Sequence, residues 1–198
     1  MAESYKVIGA TKSRTFRVLW MLEELGVPYE HVPAAPRSEE VARFSPAGKI
    51  PVLVADHVPI TDSVAIMTFL GDRHSGLTHQ AGTLERARQD SLTQAIIDEF
   101  DATLWAAARH SFVLPEERRL PALKDTLRWE FERAQEQFVA RMAEDGPFLM
   151  GDMMTIPDIL LAHCMGWAVT AKFPVTEPFR THATAMRDRP AFARASAA

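Results

Sequence analysis

The chain changes character near residue 75, and that change limits the fold more than any other feature of the sequence. Before it, short β-branched runs alternate with helical periodicity. Residues 5–8 read as a strand, 14–25 as a helix and 29–32 as a second strand, a βαβ opening. Gly26 and Pro28 stop the first helix. Residues 51–55 and 58–60 then form a hairpin, and 62–73 close the unit as a helix. This order predicts one mixed sheet covered by helices. After His74-Ser75-Gly76-Leu77-Thr78, read as a linker, strand patterns vanish. Residues 83–110 and 120–143 are helical stretches, the second with Leu120, Leu123, Leu127, Phe131, Ala134 and Phe138 at mostly three- and four-residue spacing. The expected organisation is an α/β domain over residues 1–76 and an all-helical bundle over 83–198.

Two later features refine the bundle. Thr155-Ile156-Pro157-Asp158 has the grammar of a capping box, with Met154 and Ile159 placed as a hydrophobic staple. The run 159–169 is apolar on nearly every side, as in a helix at a domain's centre. The Ala-rich end, 191–198, is expected to fray.

Composition excludes some functions. With 198 residues, 47% of them hydrophobic, the chain can bury a sizeable core. A net charge of −4 and a pI near 6.0 argue against a nucleic-acid partner, which selects for a basic face. Met1-Ala2-Glu3-Ser4-Tyr5-Lys6 lacks a charged and apolar leader, and no later apolar run approaches membrane-spanning length. A soluble cytoplasmic protein with no membrane partner is expected. Cys164 is the single cysteine, so no internal disulfide forms and any thiol chemistry comes from a ligand or from Cys164. Beside His163 in an apolar helix, Cys164 reads as a packing residue. The seven histidines show no ligand spacing, and no metal is expected.

The chemistry concentrates in two neighbouring stretches. In Ser45-Pro46-Ala47-Gly48-Lys49-Ile50-Pro51-Val52-Leu53-Val54, Pro51 cannot donate a backbone hydrogen bond, and an X-Pro bond adopts cis far more readily than others. At a strand's first position it turns the main chain of Ile50 outward, where a peptide-like ligand can pair with it. Asp62 and Ser63 precede the apolar run Val64, Ile66, Met67, Phe69 and Leu70, where caps belong and where free N–H groups and the helix dipole favour a carboxylate. Together they fit a small peptide with charged ends. Both residues also fit as plain caps. A hydroxyl cluster, Thr11, Ser13 and Thr15, stands at the start of the first helix, and Ser13 equally suits an N-cap there.

These residues resemble the cytosolic glutathione S-transferases over almost the whole chain. Ser13-Arg14-Thr15-Phe16-Arg17-Val18-Leu19-Trp20 and Glu23-Glu24-Leu25-Gly26-Val27-Pro28-Tyr29-Glu30 are similar to the first helix and second strand of bacterial members. Gly48-Lys49-Ile50-Pro51-Val52-Leu53 resembles the family's cis-proline segment, Asp62-Ser63 its acidic-Ser γ-glutamyl clamp, and Gly151-Asp152 through Asp158 its buried capping-box helix. The resemblance implies a thioredoxin-like glutathione-binding domain with a mixed four-stranded sheet, an all-α C-terminal domain, and a homodimer with each active site between the two domains. It implies a transferase that activates the glutathione thiolate to attack small electrophiles, as in detoxification.

On that basis Ser13, four residues before Arg17 as in Ser-type transferases, is the expected thiol partner, and Thr11 is the second choice. The cluster holds neither tyrosine nor cysteine, which disfavours Tyr-type and Cys-type classes, and the Ser-Ser-Cys pattern of the maleylacetoacetate-isomerase type is absent. Glutathione is then held by Lys49 at the glycyl end, Ile50 and Pro51 at the cysteinyl backbone, and Asp62 and Ser63 at the γ-glutamyl end. Asp62 is shorter than the Glu of many relatives, so its contact with the ammonium runs through water. Trp105, Arg109 and Phe112, near Asp101 and Ala108 at helical spacing, are the expected wall for the electrophile, and bundle core with surface charge is the competing reading. Two other functions fit the same scaffold: a glutathione-dependent disulfide or peroxide reductase, and a noncatalytic binding protein.

Overall fold

The structure, a computed structural model, describes residues 5–198. Residues 1–4, which belong to the expected 1–76 domain and to the start read as leader-free, lie outside the described residues. The chain forms two compact units, one running to Ala81 and including Asp188–Ala198, the other Gly82–Arg187.

The first unit holds β1 (Tyr5–Ile8), α1 (Phe16–Leu25), β2 (Tyr29–Val32), a short α2 (Glu39–Ala42), β3 (Val52–Ala55), β4 (Val58–Thr61) and α3 (Ser63–His74). Its mixed four-stranded sheet has the order β2-β1-β3-β4. β1 and β2 are parallel because a helix carries the chain between them, whereas β3 runs antiparallel to both β1 and β4. The β3–β4 hairpin turns on Asp56 and His57, both with positive φ (48° and 67°), as a tight two-residue connection requires. Alternation along the strands loads both faces. Ile8 and Val52 cluster with Val41 of α2, while Val7 and Leu53, one step along the same register, are equally buried on the opposite face. α2 had no counterpart in the sequence reading; four residues are too few to display a period.

The Ala-rich end does not fray. Residues Pro190–Ala197 form a helix, α9, packed along α1. Phe192 meets Phe16 and Trp20 edge-on at ring separations of 5.1 and 5.0 Å. The Arg189 guanidinium forks onto the Glu24 carboxylate at 2.6 and 2.8 Å, and Arg194 reaches Glu23 at 2.6 Å. Buried Ala191 and Ala195 let the two helices approach closely. These contacts group residues 188–198 with the first unit, a departure from the expected 83–198 span.

In the second unit Thr83 caps α4 (Leu84–Ala95), accepting the Arg86 N–H at 3.2 Å. Helical backbone continues through a π-type stretch Ile96–Asp101, α5 (Ala102–Ala108) and a second π-type stretch Arg109–Val113. The helices α6 (Leu123–Val139), α7 (Ile156–Thr170) and α8 (Glu177–Arg187) complete the unit. Leu120 falls before α6 and is 63% exposed, because Pro121 disfavours helical backbone at the residue preceding it. The core is aromatic: Phe100 packs edge-on against Phe131, Phe138 and Phe179 at 5.2, 5.4 and 5.8 Å.

α7 is buried around most of its circumference, with Ile159, Leu160, Leu161, Cys164 and Met165 inaccessible. The capping box is present at its start. Buried Asp158 accepts from the Thr155 N–H at 2.8 Å, the Thr155 hydroxyl at 3.0 Å and the Leu149 N–H at 2.8 Å. His182 of α8 adds a contact at 3.0 Å. Among the described residues, no helix is long and apolar enough to cross a membrane.

Candidate functional site

Between β1 and α1 the chain makes a tight turn, Thr11–Thr15, in which Lys12 and Ser13 leave helical backbone geometry. The turn is wedged against the cis-proline segment. Gly9 has φ 144°, and a Cβ placed there would fall on Thr15 Oγ1 and come within 3.0 Å of Ile50 Cβ. Only glycine lets β1, the turn and Ile50 meet so closely. His31 of β2 secures the same point: its Nε2 lies 2.9 Å from the Gly9 carbonyl, which can only accept, so Nε2 carries the proton.

Ser13 is half-buried in this turn. Its Oγ lies 2.6 Å from the Ala10 carbonyl oxygen and 2.9 Å from Thr15 Oγ1, and it accepts the Thr15 backbone N–H at 3.1 Å. The capping reading is therefore met in part, by one N–H. Thr11 faces elsewhere, its hydroxyl donating to the Ala198 carbonyl at 3.4 Å. Lys12 is exposed.

The Ile50–Pro51 peptide bond is cis. The β1–β3 ladder begins one residue later, at Ile8 and Val52, so Ile50 stands outside it. Among the described residues, neither backbone group of Ile50 has a hydrogen-bond partner. Lys49 beside it is exposed.

At the start of α3, Asp62 is the N-cap: its Oδ1 accepts the N–H groups of Val64 at 2.9 Å and Ala65 at 3.2 Å. It holds φ 74° and ψ 127°, a region that residues with a Cβ rarely enter. Ser63 is only 3% exposed, and its Oγ accepts from Arg17 Nη1 at 3.4 Å. Arg17, at 0% exposure, is a buried charge on α1, and this contact joins the α1 and α3 starts. In the sequence Arg17 served only as a spacing marker. Its sign in the sequence is a cation directly ahead of the apolar Val18-Leu19-Trp20-Met21-Leu22 run, which is buried.

The structure thus places the Ser13–Thr15 turn and Ile50 on either side of Gly9, and Arg17 of α1 reaches Ser63. Trp105, Arg109 and Phe112 lie in the second unit, on the helical path through α5, all exposed, with Phe112 at 69%. Among the described residues, no group of three His, Cys, Asp or Glu side chains is placed to hold a metal ion. A shallow surface pocket lined by Glu23, Tyr29, His31 and Arg194 includes none of the expected site residues.

A mixed four-stranded sheet with a cis proline ahead of β3, joined to an all-helical second unit, defines a thioredoxin-like protein of the glutathione transferase architecture. Comparison with known proteins agrees. Residues 13–73 match the family described as glutathione S-transferase, N-terminal domain. A curated relative, glutathione S-transferase 3 of Schizosaccharomyces pombe, is 43% identical over 63 residues, a match spanning 29% of this chain and 26% of that protein. The chain therefore matches only about a quarter of that relative's length. Among solved structures, a glutathione transferase from Methylococcus capsulatus superposes with a TM-score of 0.85 at 23% identity, covering 98% of this chain and 97% of that one. Ure2p in complex with glutathione gives 0.85 at 16% identity over 100% and 95% of the two chains, and BphK, a bacterial transferase in a ternary complex, 0.85 at 20% over 97% and 98%. At these identities the structural likeness speaks for the fold. Residues 13–73 thus resemble the amino-terminal domain of the glutathione S-transferases, and the chain as a whole has the glutathione transferase fold.

Proposed function

We propose that the protein is a glutathione transferase that keeps the glutathione sulfur ionised for attack on small electrophiles. The observation that carries the reading is the Ser13 hydroxyl, held in a non-helical turn whose Thr15 closes on Gly9 beside Ile50, the residue before the cis Pro51. A free thiol titrates near 8.5, so at neutral pH only about 3% of it is thiolate. Lowering that value by about two units takes roughly 2.7 kcal/mol of preference for the anion. One charge-assisted hydrogen bond supplies about 1.5–3 kcal/mol and a helix N-terminus about 0.3–1 kcal/mol more. Ser13 at the head of α1 offers both.

In this reading the unpaired backbone of Ile50 takes the cysteinyl main chain, Ser63 and the α3 start take the γ-glutamyl carboxylate, Asp62 its ammonium, and Lys49 the glycyl carboxylate. Ser13 donates a hydrogen bond and keeps its proton, while the thiol proton leaves to solvent. The thiolate electron pair forms a carbon–sulfur bond, and the leaving group departs with the pair it held. Trp105, Arg109 and Phe112 are proposed to contact the electrophile. A homodimer and a role in cytoplasmic detoxification complete the proposal.

Ser13→Ala is expected to lower kcat/KM with a chloroaromatic electrophile by roughly 10- to 100-fold at neutral pH, the loss of about 1.4–2.7 kcal/mol, with the KM for glutathione little changed. Unchanged turnover would move the thiol partner to Thr11 or to another group. Calorimetry with no heat on glutathione titration would remove the proposal altogether. A second reading, reduction of glutathione disulfides, draws on two structural neighbours bound to oxidised glutathione. Since Cys164 is buried and alone, such exchange would run between two glutathiones, and a disulfide-exchange assay beside conjugation separates the readings.

A further inference from the structure

Ser13 has one hydroxyl proton and three polar neighbours. The Ala10 carbonyl, at 2.6 Å, can only accept, and the Thr15 backbone N–H, at 3.1 Å, can only donate. The Thr15 hydroxyl, at 2.9 Å, can do either. With the Ser13 proton on Ala10, its shortest contact, the Thr15 hydroxyl is left to donate to Ser13 Oγ. Ser13 then accepts from two donors, and a hydroxyl so polarised is a stronger donor itself. Thr15 is fully buried beneath Gly9, in a space where no Cβ fits, so its own hydroxyl is not free to swing toward a ligand.

We propose that Thr15 is the positioning residue of the site: its N–H and O–H fill both acceptor positions of Ser13 Oγ, so the Ser13 proton moves from the Ala10 carbonyl to the ligand sulfur and nowhere else. Ala10 acts as the resting partner that glutathione displaces. The inference rests on Ser13 being the thiol partner, and it assigns Thr15 a role separate from contact with the ligand.

Titration of the bound glutathione thiol by its ultraviolet thiolate absorbance, in wild type, Ser13→Ala, Thr15→Val and Thr15→Ser, tests it. Thr15→Val keeps the shape and removes the hydroxyl; the expected result is a thiol pKa higher by about one unit and kcat/KM at neutral pH lower by about tenfold. The KM for glutathione stays within about twofold, and Thr15→Ser returns the midpoint to the wild-type value. If Ser13→Ala shifts the midpoint while Thr15→Val does not, or if Thr15→Ser shifts it as far as Thr15→Val, Thr15 is a packing residue only and the inference is overturned. If Ser13→Ala titrates as wild type, the Ser13 reading falls and takes the inference with it. Should Thr15→Val give no folded protein by thermal melt, Thr15→Ala set against Thr15→Ser makes the same comparison.

Discussion

Asp62 combines a strained backbone with a satisfied cap, and substitution separates the two. Its φ of 74° and ψ of 127° cost about 1–3 kcal/mol in a residue with a Cβ. Capping Val64 and Ala65 returns part of this, since an Asp cap is worth about 0.5–2 kcal/mol over Ala but only a few tenths over Gly. Asp62→Gly releases the strain, loses those few tenths, and adds about 0.5–1 kcal/mol of unfolded-chain entropy. The sum leaves the glycine variant roughly 0–2 kcal/mol more stable than wild type. Asp62→Ala keeps the strain, loses the cap, and is expected to be about 0.5–2 kcal/mol less stable. The gap between the two, centred near 2 kcal/mol, corresponds to roughly 4–8 °C in Tm for a chain of this length. Thermal unfolding followed by circular dichroism without ligand reads it directly. Asp62→Asn retains the cap geometry and loses only the charge. On the proposed function, Gly and Asn both raise the KM for glutathione, so the more stable variant is the poorer binder. A glycine variant that melts with or below the alanine variant would refute the claim that strain is held at this position.

Two further outcomes are expected. Asp158→Ala leaves the buried N–H groups of Leu149 and Thr155 without their acceptor, at about 1–3 kcal/mol each, so Tm falls by roughly 5–20 °C; a change under about 2 °C would contradict the assignment. For Tyr29, burial first, and then the hydrogen bond to the Glu23 carboxylate at 2.9 Å, raise the hydroxyl pKa above its ordinary value. The folded state thus prefers the neutral phenol, so this contribution is intact below pH about 10 and is lost as pH climbs beyond it. Tyr29→Phe, with nothing to ionise, is expected to lose less stability than wild type on that alkaline side; urea midpoints with identical alkaline slopes would speak against it.

What was legible in the sequence is what short-range chemistry determines. Short runs rich in tyrosine and β-branched residues, set off by helical periodicity and by Gly26 and Pro28, marked β1 and β2, and the Thr155–Asp158 capping box announced α7 because its partners lie three residues apart. Pro51 marked where β3 begins, and its peptide bond is cis. What stayed hidden depends on partners far along the chain. An Ala-rich tail carries no signal of order until Arg189 meets Glu24, 165 residues away, and Phe192 meets Trp20. The Arg17–Ser63 contact spans 46 residues, and the His182–Asp158 contact joins helices whose local patterns do not mention each other. At the site, the positions of Ser13, Ile50 and Asp62 could be read from local grammar, whereas the proton arrangement around Ser13 depends on Ala10, Thr15 and the Gly9 backbone together.

The long-range contacts share a target. α1 is fixed along its whole length: at its start by the turn wedged under Gly9, in its first turn by Arg17 reaching Ser63, and toward its end by Arg189 on Glu24 and Arg194 on Glu23. Burying Arg17 and most of Glu24 is not an economical way to gain stability, since apolar side chains of similar volume commonly do as well. What a methionine at position 17 could not supply is a directed donor, and directed bonds admit one arrangement where apolar contacts admit several. On the proposed function, a hydroxyl that meets a single sulfur atom within hydrogen-bonding distance needs its backbone held to about 0.5 Å. The ion pairs and the buried Arg17 around α1 are placed where they hold the helix that directly follows the Ser13 turn.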